Sequence, residues 1–415
     1  MTPDKERLDG LRREVEAELE LLAPRLDRLA ADLHRHAEPG CRELDTVARI
    51  AGELEEEGFA VEAGVAGLAT AFRAAKGNGA PRIAFLAEYD AIPGLGHAAG
   101  HNLLVAASLG AAAALARVAR GPRGSVLVIG APGEETIGGK IVLLRRGAFD
   151  DVDAALLAHP GAEDSVETSS LASWSLEVTF EGREAHAVIG PERGINALDA
   201  AIQLFVARDA LLSSLAPGTR IPGVILEGGV RPNLVPARTR ARFSLRATSA
   251  AYLHDVVRVR FDEIVEGVAR ATRTRFTIRP VDNLYDELFD NPVLAELYAA
   301  NAARAGLAPR RGPGATVGSL DSGALSHRAP VLHPFFRVGD GSLATHTRAF
   351  AAASATPEAF AAARRAALAL ALTGLDLLVD PDALDRVRAA HAAARRPSYG
   401  AEAPLIDQAE DEAAP

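Results

Sequence analysis

A single cysteine, a single methionine and a single tryptophan occur in the 415 residues of this chain. With Cys41 alone no disulfide can form within the chain, and the sequence suits a reducing, cytoplasmic compartment. Lysine is confined to positions 5, 76 and 140 while alanine and arginine abound, a bias that reads as genome composition rather than function. Positive charge is also short: 45 Lys and Arg against 55 Asp and Glu leave a formal net charge of -10. No basic run offsets it, so nucleic acid is not an expected partner. The N-terminus is charged (Asp4, Lys5, Glu6, Arg7) and lacks an apolar signal core. The most apolar run, Leu103 to Ala119, is broken by Ser108, Gly110 and Arg117, which suits a buried helix rather than a membrane span.

What is present is an ordinary globular balance, 48% hydrophobic and 24% charged. The length predicts two domains. Helical patterns run from Lys5 to His36, Leu44 to Glu57, Leu103 to Arg120 (stopped by Gly121-Pro122) and Lys140 to Arg146. Short apolar strands are expected at Ala69–Phe72, Ile83–Leu86, Ser125–Gly130 and Ala154–Ala158. Short buried strands alternating with helices predict an α/β fold with a mainly parallel sheet covered on both faces. From Trp174 the pattern changes to period two. Strand, helix, two strands, helix and strand follow: Ser173–Phe180, Asn196–Leu212, Gly223–Leu226, Thr239–Ala247, Tyr252–Ala271 and Arg275–Arg279. That order describes a small α+β sandwich inserted over residues 172–280, with the larger domain over 1–171 and 281–395. The acidic, Pro- and Ala-rich tail, 396–415, is expected to be partly disordered.

Polar residues cluster after these strands. Glu88 and Asp90 lead through a Pro/Gly turn to His97 and His101; Glu134-Glu135 follow the next strand, His159 the one after, and His346 lies in a later turn. In an open α/β sheet the crevice beyond the carboxyl ends of the strands brings such distant residues together. Imidazoles with carboxylates suit zinc, manganese or cobalt better than calcium or magnesium. The pair Glu134-Glu135 allows one side chain to bind metal while its neighbour takes a proton from water. Each residue also has a structural reading: His101 as a helix-start histidine, His159 as a turn residue before Pro160, Glu134-Glu135 as a solvated helix start, Asp321 as an N-cap, His346 as a surface residue. The ordered set favours function. His34, His36, His254, His327 and His391 read as structural, and Glu88, His97 and His333 carry no assigned role.

Taken together, Glu88 to Asn102, Gly133-Glu134-Glu135, Gly138-Gly139-Lys140, Gly147 to Asp150, His159-Pro160, Ala185-His186-Ala187, Asn196 to Ala200, Gly228-Gly229, Pro232-Asn233, Gly318 to Asp321 and His346-Thr347 resemble the aminoacylase/carboxypeptidase-type dimetal metallopeptidases, in their amidohydrolase branch. The resemblance covers nearly the whole chain to about Leu378. It implies that Glu135 and His346 hold one metal and His101 and His159 the other, with Glu134 as general base and Asp90 orienting a metal-binding imidazole. It also implies that the inserted domain forms a homodimer and that His186 reaches the partner's site to stabilise the oxyanion. Asn233 and Arg246 are the implied substrate contacts.

The departure is Ala99, where the resembling sequences carry a bridging cysteine. Three outcomes are open: Glu88 or Asp90 moves in as a ligand, a single metal binds, or the site has lost metal and changed use. Cys41 reads as a small packing residue. The expectation is a dimeric, divalent-metal-dependent amidohydrolase, with zinc or manganese in one or two sites, acting on an N-acyl amino acid, a dipeptide or an aminobenzoyl-glutamate-like amide. A repurposed enzyme that forms or transfers amides, and a non-catalytic ligand-binding homologue, are the alternatives.

Overall fold

The computed structural model describes residues 5–119, 124–312 and 318–408. The chain opens with α1 (Lys5–Arg35), whose Val15, Leu19, Leu22, Leu26, Leu29 and Leu33 recur at helical spacing and form one buried stripe. Helix α2 (Leu44–Glu56) follows and buries Val47, Ile50 and Leu54. Next come β1 (Ala60–Ala63), β2 (Phe72–Asn78), β3 (Arg82–Glu88), α3 (His101–Val118), β4 (Gly124–Ala131), α4 (Gly139–Arg145), β5 (Ala154–Leu156) and β6 (His159–Gly161). The run Ala69–Phe72, expected as a strand, is a turn that delivers Phe72 to the start of β2. Ala71 and Phe72 are buried while Ala69 is exposed, and over four residues periodicity cannot separate such a turn from a strand. Gly121 and Pro122, read as a helix stop, lie outside the described residues.

The second layer starts at β7 (Ala172–Glu181) and continues through α5 (Ala197–Leu212), β8 (Gly223–Glu227) and β9 (Arg238–Ala247). Asn196 caps α5 by accepting from Leu198 N–H. The single helix expected over Tyr252–Ala271 is interrupted. It begins as α6 (Ala250–Tyr252), widens into a π-helical stretch over Leu253–Arg258 and resumes as α7 (Val259–Thr272). Leu253, Val257, Phe261 and Val265 are all buried and spaced by four. A 3.6-residue helix would rotate that spacing off the core, and the wider turn absorbs the drift. Strand β10 (Arg275–Pro280) completes an antiparallel sheet of order β10-β7-β9-β8, and α5 and α7 pack against each other over its core.

The chain then returns through α8 (Pro292–Arg304), α9 (Ser322–Ser326), β11 (Val331–Leu332), β12 (Phe335–Arg337), α10 (Arg348–Ala353), α11 (Pro357–Val379) and α12 (Pro381–Ala394). The larger sheet has the order β1-β2-β4-β3-β5-β11. Its pairs β4/β3, β3/β5 and β5/β11 are parallel, and β1 and β2 join at one edge antiparallel. Helix α3 is long and apolar enough to cross a membrane, yet 89% of it is buried, packed between α1 and α11 as a core helix. Beyond α12, Ser398 Oγ and the Tyr399 and Gly400 amides donate to the buried Asp286, and Asn283 exchanges hydrogen bonds with Ile406. The last residues of the acidic tail, 409–415, lie outside the described residues.

Candidate active site

Strand β3 ends at Glu88, and the turn that follows returns the chain to α3. Gly100, with φ of +80°, precedes His101 at the helix start, and a Cβ there would come within 2.9 Å of Pro160. The close approach sets His101 beside His159, their rings edge to face with centroids 5.5 Å apart. The Nδ1 of His101 lies 2.8 Å from the Asp90 carbonyl and 3.0 Å from Asp90 Oδ1; the Nδ1 of His159 lies 2.7 Å from the Pro160 carbonyl. A carbonyl can only accept, so each Nδ1 carries the hydrogen and, in the neutral rings, each Nε2 offers a lone pair. Both Nε2 atoms face Glu88 Oε2, at 3.4 Å and 3.8 Å. One ligand atom from each of Glu88, His101 and His159 falls within 4.8 Å of the others, and all three residues are buried. His101 Nε2 and Glu88 Oε2 have no hydrogen-bond partner. Three acceptors converging without a hydrogen between them fit a cation.

The electrostatics agree. Burial lowers the His101 imidazolium, but Asp90 and then Glu88 outweigh it and hold the pKa at about 10. A proton is thus favoured where a divalent ion would sit. Burial lowers His159 despite Glu88 and leaves its ring neutral.

Strand β4 runs into the turn that carries Glu134 and Glu135. A Cβ on Gly139, which opens α4 behind that turn, would stand 1.9 Å from the Pro132 carbonyl, so the turn closes only on glycine. Glu135 N–H donates to Asp90 Oδ2 at 2.9 Å, and Glu135 Oε1 lies 2.9 Å from His346 Nε2. His101, Glu134 and Glu135 form a second group with ligand atoms within 4.8 Å. His346 holds a left-handed backbone (φ +62°), unusual outside glycine, while its N–H donates to the Ala98 carbonyl. Burial, then Glu135, Asp321 and Glu88, push the Glu134 carboxyl well above its usual range. A nearby divalent ion would pull it back toward the carboxylate.

Lys140, from the Gly138-Gly139-Lys140 motif, is fully buried. Its Nζ stands 2.6 Å from Glu88 Oε1 and 2.6 Å from Asp321 Oδ1, and its N–H donates to Asp321 Oδ2. Asp321 does precede α9, but its side chain makes no cap there, because both oxygens are engaged by Lys140. His333 stacks on His159 with centroids 5.7 Å apart, and its Nδ1 meets Ser322 Oγ at 2.9 Å. His97 points away from the cluster toward the Leu33 carbonyl. Tyr285, unmarked in the sequence, donates from its hydroxyl to the Glu134 carbonyl at 3.1 Å. The Gly138-Gly139-Lys140 motif was the available signal for Lys140; Tyr285 and His333 carried none.

A cleft of about 520 Å³ opens over these groups, walled by Glu134, Glu135, His159, Arg246, Phe335 and His346. Arg246 Nη1 reaches Ser319 Oγ at 3.3 Å across it. His186 and Asn233 lie elsewhere, both exposed on the smaller sheet's loops, where Ala187 N–H donates to the Asn233 carbonyl. The site residues expected from sequence thus divide into seven brought together (Asp90, His101, Glu134, Glu135, His159, Arg246 and His346) and two, His186 and Asn233, held apart within one chain.

Residues 168–273 match the peptidase dimerisation domain of M20 enzymes. The chain is 37% identical over 339 residues to Xaa-Arg dipeptidase of Mus musculus, covering 78% of both chains. It is 34% identical over 317 residues to Xaa-Arg dipeptidase of Homo sapiens, covering 74% of this chain and 72% of that one. In fold it is similar to an aminobenzoyl-glutamate utilization protein from Klebsiella pneumoniae (TM-score 0.69, 22% identity, 86% and 98% of the two chains). It is likewise similar to a dinuclear metal-binding peptidase of the M20 family from Bacillus subtilis (TM-score 0.65, 22% identity, 86% and 99%). The chain therefore belongs to the M20 metallopeptidase family and is a metal-dependent hydrolase of amide bonds.

Proposed function

We propose that this enzyme hydrolyses the amide of a dipeptide or an N-acyl amino acid in the cleft between Arg246 and His346, using zinc or manganese. The observation that carries the reading is the buried convergence of His101, His159 and Glu88 beside Glu134 and Glu135. His101 and His159 would hold one ion and Glu135 with His346 a second. A bound divalent ion supplies Lewis acidity, polarising the amide carbonyl and acidifying water. Asp90 fixes the His101 tautomer, and through the Glu135 amide it ties the two halves of the site together. Glu134 takes the proton of the attacking water and returns it to the leaving amine. Arg246, on the cleft wall, would pair with a substrate carboxylate. His186 and Asn233 would act on the site of a second copy, the dimer being made by residues near 172–280; the match to a dimerisation domain supports this.

The test is a substrate panel of Xaa-Arg dipeptides, other dipeptides, N-acyl amino acids and p-aminobenzoyl-glutamate, assayed with added zinc or manganese. Metal-dependent release of the free amine from a member of this panel is expected. Specific binding of such compounds with no turnover under any of these metals would favour a non-catalytic homologue.

A further inference from the structure

Position 99 offers only a buried methyl group at the turn before His101. His101 and His159 alone would leave an ion two protein ligands short of a tetrahedral shell, whereas catalytic zinc normally takes three from protein. We infer that Glu88 is the third protein ligand of the ion held by His101 and His159, in the place that Ala99 leaves empty. The inference rests on the reading of this cluster as a metal site.

The geometry separates Glu88 from a carboxylate that merely balances a lysine. Its two oxygens have different surroundings. Oε1 is 2.6 Å from Lys140 Nζ, while Oε2 faces the two Nε2 atoms. Ligands about 2.0–2.2 Å from a tetrahedral zinc stand about 3.3–3.6 Å from one another. The His101–Glu88 separation is 3.4 Å, and the His159–Glu88 separation of 3.8 Å is slightly wider. Charge points the same way. One buried ammonium, Lys140, faces two buried carboxylates, Glu88 and Asp321, so the trio retains a negative charge in a buried setting. A divalent ion beside Oε2 offsets it. Lys140 also fixes the rotation of the Glu88 carboxyl, and Asp321 fixes Lys140 by two hydrogen bonds. Lys140 and Asp321 are thus positioning residues for a ligand, and Glu88 serves in a His-His-Glu set.

The experiment titrates zinc into chelator-stripped protein by calorimetry, with cobalt(II) as a visible-spectrum probe of the ligand set. Glu88→Gln keeps the Lys140–Asp321 pair as a neutral couple and is expected to fold, which its melting curve checks. It should weaken the tighter zinc site by more than the about 10–100-fold that loss of an outer hydrogen-bond partner costs, and it should change the cobalt spectrum. Glu88→Asp, which withdraws the carboxylate by about one methylene, should also weaken binding and provides a second reading of the same contact. Glu88→Gln/Ala99→Cys should recover affinity and gain a thiolate-to-cobalt band. If Glu88→Gln and Glu88→Asp bind zinc like the parent with an unchanged cobalt spectrum, while His101→Ala loses binding, Glu88 is no ligand although the metal site stands. If neither the parent nor Ala99→Cys binds zinc or cobalt at this cluster, the metal reading itself fails, and the inference with it.

Discussion

Glu134 and Glu135 are neighbours in the chain but face different partners: Glu135 pairs with His346, and Glu134 is buried among acids. That asymmetry suits one for metal and the other for protons. Glu134→Gln should keep the fold and metal content but lower kcat by ~10²–10⁴-fold, since the amide cannot accept a proton. Activity within a few-fold of the parent would remove Glu134 from the role of base. Lys140→Met should lower stability by about 3–5 kcal/mol in urea unfolding, because it leaves Glu88 and Asp321 facing each other without a cation. An unchanged midpoint would show the trio to be energetically idle. A further group predicts a pH effect. Burial, and then Asp90, raise Glu43 from its ordinary 4.5 to about 7, while its Oε1 accepts the Gly133 amide. An acid with a raised folded-state pKa stabilises the fold below its unfolded pKa, and that contribution is lost as pH rises through the folded value. Unfolding free energy should therefore fall between pH 4.5 and pH 7, by up to about 3 kcal/mol from this group, and Glu43→Gln should remove that part of the slope. Equal slopes for the two proteins would contradict it.

Strand ends were the most legible parts of the sequence, because an apolar run that stops at a carboxylate or imidazole marks both the strand and its crevice. Glu88, Glu134 and His159 all follow this pattern. The alternation from Trp174 likewise corresponds to β7, whose buried Trp174, Leu176, Val178 and Phe180 line one face. Three features were not legible, each for a physical reason. The turn at Ala69 leads directly into buried Ala71 and Phe72, so its short apolar run looks like the strand it precedes. The π-helical stretch at Leu253 follows from a core spacing of four that looks helical in one dimension. Lys140 pairs with Asp321, 181 residues away, and only the fold brings them together. The C-terminal segment offers a test of its own. Ser398, Tyr399 and Gly400 supply the hydrogen bonds of buried Asp286, and Tyr399 Oη donates to Asp255 beside α7. Truncation after Arg396 removes these charge-assisted bonds, each of about 1.5–3 kcal/mol before water replaces them, and should lower the melting temperature measurably. An unchanged melting curve would show that the segment only decorates the surface.

In the assembled protein the crevice beyond β3, β4 and β5 supplies most of the proposed metal ligands, with His346 closing it from a later turn, while His186 and Asn233 lie exposed on the smaller sheet's loops. Apolar side chains are also exposed there, among them Val188, Ile189, Val224, Leu226 and Val230. A dimer through this surface predicts complementation. Glu134→Gln and His186→Ala homodimers should each be nearly inactive, and refolding them together should restore about a quarter of parental activity, since half of the dimers are mixed and each mixed dimer holds one intact site. No recovery on mixing would confine His186 to its own chain or to no role. The account as a whole depends most directly on metal and turnover being linked. The decisive measurement is hydrolysis of a panel substrate against equivalents of zinc or manganese added back to chelator-stripped protein. Turnover should start near zero and rise with bound ion to a plateau. Full turnover in protein shown to be metal-free would contradict the account.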